Sequence, residues 1–439
     1  MGLQAGQIIE VTAGDVAQGG WCVARPPEAS VVFVRHALPG ETVQARVTEV
    51  TSRFARADAI EILDPSPDRV EPPCPNARPG RCGGCDWQHA TLPAQRRLKA
   101  AVVSQQLRRL AKIDLEVTVE PLPGDEGEGV NPADNSKKPG GVPPGLGWRT
   151  RVQFAVRDDG LAGLRAHRSH RVVDIGDCPI AHPGIRELGI PRRRWPGAVG
   201  VEAVVGSGEP AERGVIVTSA GRRAPTMRDD LPESPETVLI RAGRRLTPVR
   251  GRPYLSQRAG GREWRVSAGA FWQVHPAAAD TLADAVLAAL EPKPGDTALD
   301  LYCGAGLFAG ALAPAVGPGG AVIGVESDQA AVRDARYNLR EWPWARVHRC
   351  DVADIARRGL PAARLAVADP PRAGLAREVI DHLSGAGQAE RFAYVSCDPA
   401  TMARDIGLLL ERGWTLEGLR AFDAFPMTHH VECVATLTR

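Results

Sequence analysis

From Thr297 to Ser396 short apolar runs alternate with helical patterns, and this alternation restricts the fold more than any other feature of the chain. The runs Thr297 to Leu301, Ala321 to Val325, Val347 to Cys350, Leu365 to Ala368 and Phe392 to Ser396 each read as a strand. Strands separated by helices assemble into a parallel, doubly wound sheet, and such sheets take their ligands at the carboxyl ends of the strands. The first run passes directly into a glycine turn and a helix, Ala298-Leu-Asp-Leu-Tyr-Cys-Gly-Ala-Gly-Leu-Phe-Ala-Gly310, in which Gly304 and Gly306 let a ligand lie against the backbone. Glu326 follows Gly306 by about 20 residues, the distance at which doubly wound folds place the carboxylate that binds ribose hydroxyls. A nicotinamide-dinucleotide fingerprint is met only if Ala309 stands in for its third glycine. The strand-end acids continue instead, with Asp351 after the third run and Asp369 in Asp-Pro-Pro-Arg after the fourth.

That series of acids resembles the class I methyltransferases, in which strand-end carboxylates hold the adenosine of the methyl donor and the fourth-strand motif faces the reacting atom. The fifth run ends in Ser396-Cys397-Asp398-Pro399 just before a helix. A strand-end thiol at a helix N-terminus feels the positive end of the helix dipole, so Cys397 is expected to favour thiolate and act as a nucleophile. Carbon 5 of uracil accepts a methyl group only after a thiolate adds at carbon 6, and a base must then remove the carbon 5 proton. Glu432, in Phe-Pro-Met-Thr-His-His-Val-Glu, is the candidate base.

The Ser-Cys-Asp-Pro and Phe-Pro-x-Thr-His-His-x-Glu stretches resemble the RNA 5-methyluridine methyltransferase family, and the likeness spans nearly the whole chain. It implies S-adenosylmethionine as cofactor, Cys397 as nucleophile and Glu432 as base. It further implies that Gln273, Tyr302, Glu326 and Asp369 line the donor site and that Phe271 stacks on the target base. Where the family often has Asn in the glycine turn, this chain has Leu307. A uracil inside a stacked helix is covered, so the target must flip out or lie in a loop.

The N-terminal part reads differently. Short β-type runs, Gln7 to Val11, Val31 to Val34, Thr42 to Val50 and Arg56 to Leu63, are separated by turn signals, which predicts a small oligonucleotide-binding-like β-barrel over residues 1–64, of the TRAM type the family carries. Cys74, Cys82, Cys85 and Cys178 form C-x7-C-x2-C plus one remote cysteine, a set able to hold zinc or a 4Fe-4S cluster. The family likeness favours iron-sulfur, with a structural role. Nine cysteines with no secretory signal make a disulfide framework a poor expectation.

The fold class expected is therefore multidomain α/β. Residues 65–91 and 148–265 form a mostly β middle domain carrying the cysteines, 92–120 a helix packed on the catalytic domain, 121–147 a flexible insertion rich in Gly and Pro, and 266–439 the methyltransferase domain. Net charge is only +2, but arginines bunch at Arg165 to Arg171, Arg192 to Arg194 and Arg241 to Arg252, where they can grip the phosphates of a ribosomal or transfer RNA. No apolar run approaches the roughly 20 residues that cross a bilayer, so a cytoplasmic monomer is expected. Two rivals remain. An amino-group methyltransferase would act through Asp369-Pro370-Pro371 but usually follows the prolines with an aromatic residue, where Arg372 stands. A non-catalytic iron-sulfur RNA-binding protein or chaperone would not need Cys397.

Overall fold

The computed structural model describes residues 2–27, 31–125, 142–221, 235–385 and 389–439. Three large sheets organise them. The first has six strands in the order Ile8–Thr12, Thr42–Val50, Ala55–Asp64, Val32–Arg35, Trp21–Ala24, Val16–Ala17. Strand side chains alternate between faces, so Val43, Ala45 and Val47 point inward and join Val32, Val34 and Ala57 in a core of their own.

The second sheet has seven strands, ordered Val172–Val173, Ala162–Arg165, Arg151–Val156, Ala198–Val205, Arg213–Ser219, Thr237–Ala242, Arg245–Arg250. Its outermost strand, Arg245–Arg250, is largely exposed. Charge on an edge strand blocks further pairing. Part of the third arginine cluster is thereby explained without RNA. The hairpin Tyr254–Ala259 and Arg262–Ser267, grouped with the middle domain on sequence, is bonded instead to the helix Gln329–Asn338: Ser267 N donates to Asp334 Oδ2 at 2.6 Å and Arg265 N to Asn338 Oδ1 at 2.9 Å.

The third sheet has eight strands, ordered Ala345–Arg349, Ala321–Glu326, Thr297–Leu301, Leu365–Ala368, Arg391–Ser396, Glu432–Thr438, Thr415–Asp423, Val119–Pro121. The first five are parallel, whereas Glu432–Thr438 runs antiparallel to both neighbours. Helices Ala278–Leu290 and Leu307–Val316 bury one face, with Leu282, Val286 and Leu312 fully enclosed. Pro399–Leu410 and Arg377–Ser384 bury the other, through Met402, Ile406 and Val379. Covering both faces is what continuous apolar strands such as Leu365-Ala-Val-Ala require.

The helix expected from Leu92 is α-helical over Leu92–Gln106, with Thr91 Oγ1 capping Ala94 N and Pro93 in the first turn. It widens to a π turn at Leu107–Ala111, and Val103 and Leu107 pack on the face that Met402 and Ile406 build. Lys99, fully buried, ion-pairs with Asp423 and donates to the Phe425 carbonyl at 3.0 Å. Val119–Pro121 was not legible as a strand, yet it closes the sheet by pairing in parallel with Thr415–Asp423. Most of the expected insertion 121–147 lies outside the described residues. Among the described residues no helix is long and apolar enough to cross a membrane.

Candidate active site

The central sheet sets the site by register. Leu301 pairs with Ala368, and Ala368 with Tyr394, so the strand ends Tyr302, Asp369 and Ser396 reach one edge together. In the antiparallel ladder Ser396 faces Cys433. One step further along that register, Cys397 comes opposite Glu432, and directly opposed residues present their side chains on the same face. Residues 35 positions apart in sequence are thereby made neighbours by backbone geometry alone.

The electrostatics of this edge differ from the sequence expectation. Burial pushes the Cys397 thiol up to about 11, and the charges of Glu432 and Asp369 add to the effect. The helix N-terminus does not overcome this, because Asp398 caps it by accepting from Thr401 N at 2.9 Å. The group that pulls toward thiolate is Arg372, by charge and by hydrogen bond. On sequence Arg372 served only to argue against an amino-group substrate. Its loop is tied to the same helix: the Arg372 carbonyl accepts from Thr401 Oγ1 at 3.0 Å and the Ala373 carbonyl from Arg404 Nη2 at 2.9 Å. Arg372 Nη2 also lies 3.3 Å from His430 Nε2, in a ring that burial keeps neutral by lowering it to about 3.

Glu432 is buried and Asp369 half-buried, near enough for its charge to act on Glu432. Burial raises both, and Asp369's charge raises Glu432 further, since two neighbouring carboxylates in low dielectric resist ionising together. A carboxylate whose proton affinity is raised is a stronger base, which removal of a carbon-bound proton requires.

At the neighbouring strand end the glycine turn is as the sequence suggested. Gly304 and Gly306 have φ of 53° and 92°, and Gly306 starts the helix Leu307–Val316. A Cβ at Gly306 would press on Ala335 at 3.3 Å. Tyr302, half-buried, also holds a left-handed φ of 64°. Glu326 Oε2 accepts from Gly304 N at 3.1 Å, fixing that carboxylate against the turn. Asp351 caps the helix Val352–Arg358, accepting from Ala353 N at 2.9 Å.

Asp300 was not singled out on sequence. It is fully buried beneath the turn, accepts from Ala309 N at 2.7 Å, and leaves its other oxygen without a partner. Burial, with Asp369 and Glu326 nearby, raises it to about 8. The available signal was an acid inside an otherwise apolar strand, Thr-Ala-Leu-Asp-Leu. Raised to about 8, Asp300 holds its proton at neutral pH and can donate a hydrogen bond beneath the turn.

Phe271 is 67% exposed, a large ring held in water beside buried Trp272, so its face is free for stacking. Gln273 is buried and makes no hydrogen bond among the described residues. Gln18 Nε2, from the N-terminal sheet, reaches Asp398 Oδ2 at 3.5 Å, so that sheet abuts the cysteine's own loop.

Cys74, Cys82, Cys85 and Cys178 line one cavity of about 440 Å³, with Gly83 and Arg149. Burial raises all four thiols; Cys74 further raises Cys82, Cys82 raises Cys178, and Cys178 raises Cys85. Gly83 is required there, because a Cβ would stand 2.5 Å from the His167 backbone. Among the described residues no group of three or more His, Cys, Asp or Glu stands close enough to hold a metal ion as the side chains are placed.

Comparisons with known proteins agree with this layout. The tRNA (Uracil-5-)-methyltransferase family matches residues 354–439, the TRAM domain residues 2–60, and the Protein-L-isoaspartate(D-aspartate) O-methyltransferase family residues 273–361. An RNA methyltransferase of Streptomyces coelicolor is 52% identical, over 98% of this chain and 93% of that protein. One from Bifidobacterium longum is 34% identical, over 98% and 96%. The structure of the Pyrococcus abyssi tRNA (uracil-54, C5)-methyltransferase in complex with S-adenosyl-L-homocysteine has a TM-score of 0.72 at 22% identity, covering 98% of this chain and 100% of that one, a likeness of fold. Sheet order, glycine turn and strand-end acids define a class I, S-adenosylmethionine-dependent methyltransferase with an N-terminal TRAM domain. Within that class the chain belongs to the RNA uracil-5-methyltransferase family.

Proposed function

We propose that the protein methylates carbon 5 of a specific uridine in structured RNA, ribosomal or transfer RNA, through a covalent adduct on Cys397. The observation that carries this reading is the register that sets Cys397 across from Glu432 at the edge where Asp369 ends the adjoining strand. Arg372 draws the thiol toward thiolate as its proton leaves. The sulfur bonds to carbon 6 of the flipped uracil, and the ring electrons move to carbon 5 and the carbonyl oxygen at position 4. S-adenosylmethionine supplies the electrophilic methyl group that carbon 5 takes. Glu432 then removes the carbon 5 proton, the carbon 5–carbon 6 double bond re-forms, and the Cys397 thiolate is expelled. The proton then rests on the Glu432 carboxyl, whose hold on it burial and the charge of Asp369 strengthen.

Gln273, Tyr302, Gly304, Gly306, Glu326, Asp351 and Asp369 are assigned to the donor site, with Asp300 added beneath it. Phe271 stacks on the target base. Residues 1–64 grip RNA together with the arginine-bearing middle domain, 65–91 and 148–265, while 92–120 braces the catalytic domain, 266–439, and the enzyme works in the cytoplasm. Cys74, Cys82, Cys85 and Cys178 are read as ligands of a 4Fe-4S cluster. Their thiols line one cavity, four thiolates can hold either zinc or a cluster, and it is the family likeness that favours the cluster. Bound there, the cluster supplies a cross-link rather than redox chemistry.

Release of tritium from RNA carrying 5-tritiated uridine tests the reaction. With S-adenosylmethionine present, the protein should release tritium in proportion to methyl transferred. An amino-group methyltransferase would transfer methyl without tritium release, and an RNA chaperone would do neither.

A further inference from the structure

The stretch Thr428-His429-His430-Val431-Glu432 brings two imidazoles toward the catalytic edge, and the reaction proposed above gives neither of them a task. His430 is half-buried, with Phe425 meeting its ring edge-on at 5.8 Å and the His429 ring lying 4.1 Å away. His430 N donates to Thr428 Oγ1 at 3.3 Å, and the His429 ring is itself fixed by Asp86 Oδ2, 2.6 Å from its Nδ1. The His430 ring is thus held on two sides and offers Nε2 to Arg372 Nη2, 3.3 Å away. That contact has one sense only. A guanidinium carries donors and no acceptor, so Nε2 accepts and the ring's proton stays on Nδ1. Burial, with the charges of His429, Arg372 and Lys99, holds the ring uncharged against the opposing pull of Asp86, lowering it to about 3.

Arg372 needs such a partner. It stands exposed on the loop that follows Asp369-Pro370-Pro371, and among the described residues it has no carboxylate to pair with. Thr401 anchors its backbone, but a long side chain in water gives up much rotamer freedom to stay in one place. The sulfur it must reach faces acids on both neighbouring strands, Asp369 at the end of Leu365–Ala368 and Glu432 at the start of Glu432–Thr438, with the Cys433 thiol beside the latter. Arg372 opposes them. A carboxylate in the place of His430 would orient the guanidinium and at the same time cancel its field at the sulfur. An uncharged acceptor orients it and leaves the field intact.

We propose that His430 is a positioning residue, whose uncharged Nε2 accepts from Arg372 and keeps the guanidinium beside the Cys397 sulfur without cancelling its charge. The inference rests on the reading of Cys397 as the nucleophile and deepens it, because the histidine acts on the thiol only through the arginine.

Alkylation of Cys397 in the full-length protein tests this without requiring turnover. Rates with iodoacetamide, which is neutral, and iodoacetate, which is an anion, are followed at several pH values by mass spectrometry of the Cys397 peptide. Only thiolate is alkylated, and the ratio of the two rates reports the positive charge beside the sulfur. His430→Phe fills the place of the ring without an acceptor. At pH 8 it should slow iodoacetamide roughly 3- to 10-fold, the upper figure being what one pH unit of displacement gives, and should lower the iodoacetate-to-iodoacetamide ratio. His430→Gln, whose amide oxygen can accept from Arg372, should recover most of both. Arg372→Ala should show the full loss, and adding His430→Phe to it should change nothing more, since two residues that act in series are not additive. Wild-type rates and ratio in His430→Phe would overturn the proposal. So would a further loss in the double variant, which would give the histidine an effect of its own. Should His430→Phe lack the wild-type thermal transition, His430→Leu takes its place in the same series and the same outcomes decide. These alkylation effects without tritium release from RNA carrying 5-tritiated uridine would remove the catalytic reading and leave the positioning role standing.

Discussion

Asp86 and His429 are 343 residues apart in the chain, yet Asp86 Oδ2 lies 2.6 Å from His429 Nδ1 and also accepts from His429 N at 3.2 Å. Asp86 directly follows Cys85, and His429 stands three positions before Glu432, so one carboxylate joins the cysteine loop to the segment that leads into Glu432. Arg35 of the TRAM domain completes the junction at 3.4 Å, and the Met427 carbonyl accepts from Asp86 N and Trp87 N.

This junction predicts an acid-dependent loss of stability. Burial alone would raise Asp86, but the His429 hydrogen bond and the charges of His429 and Arg35 hold it at about 2. A depressed carboxylate stabilises the fold above its ordinary 3.8 and loses that contribution as pH falls through about 2. Asp86→Asn should cost about 2 kcal/mol at pH 7, read as a lowered thermal transition. The two proteins should converge as pH is lowered toward 2. A constant gap across that range would refute the assignment.

A second prediction concerns the thiol. With Cys397 raised to about 11, adduct formation should quicken with pH across the neutral range, because only thiolate adds to the ring. Arg372→Ala removes the neighbouring cation and should slow adduct formation at pH 8 roughly 10- to 100-fold while shifting the pH profile alkaline. Arg372→Lys should restore part of it. Stopped-flow formation of the adduct at several pH values measures this directly.

Replacing the base should trap the intermediate. Glu432→Gln can still let Cys397 add and carbon 5 take the methyl group, but it cannot remove the carbon 5 proton. Ordinary RNA should then remain bound to protein through denaturing electrophoresis, with turnover reduced at least 100-fold, the low end of what a general base contributes. A Glu432→Gln enzyme that turns over freely would place the base elsewhere.

The cysteine cavity makes a chemical prediction. Protein purified without oxygen should contain about four iron and four sulfide per chain if its thiols hold a 4Fe-4S cluster. Cys85→Ser should lose the visible absorbance and lower the thermal transition. One equivalent of zinc and no sulfide would replace the cluster with a single-ion site.

The parallel sheet was legible because its central strands are mostly apolar and the turn after the first carries glycine; Thr297–Leu301 and Leu365–Ala368 were bounded to the residue. Cys397 and Glu432 were legible only as motifs, since their proximity arises from a ladder no local pattern encodes. Val119–Pro121 escaped notice because three residues make no periodic signal and their partner strand lies some 300 residues away. Asp300 was hidden by its setting, an acid within an apolar run that reads as core. The protonation of Cys397 was misjudged because burial is a property of the folded chain, whereas the helix start was visible in sequence.

The central claim is that Cys397 bonds to carbon 6 of a uridine. RNA transcribed with 5-fluorouridine, incubated with enzyme and S-adenosylmethionine, has no carbon 5 proton for Glu432 to remove, so the adduct cannot resolve. Intact mass spectrometry should find wild-type protein carrying RNA, with the cross-link mapped to Cys397, and should find Cys397→Ala unmodified. If the wild-type protein binds the donor and methylates unmodified RNA yet forms no such adduct, or if Cys397→Ala forms it equally, the mechanism is wrong.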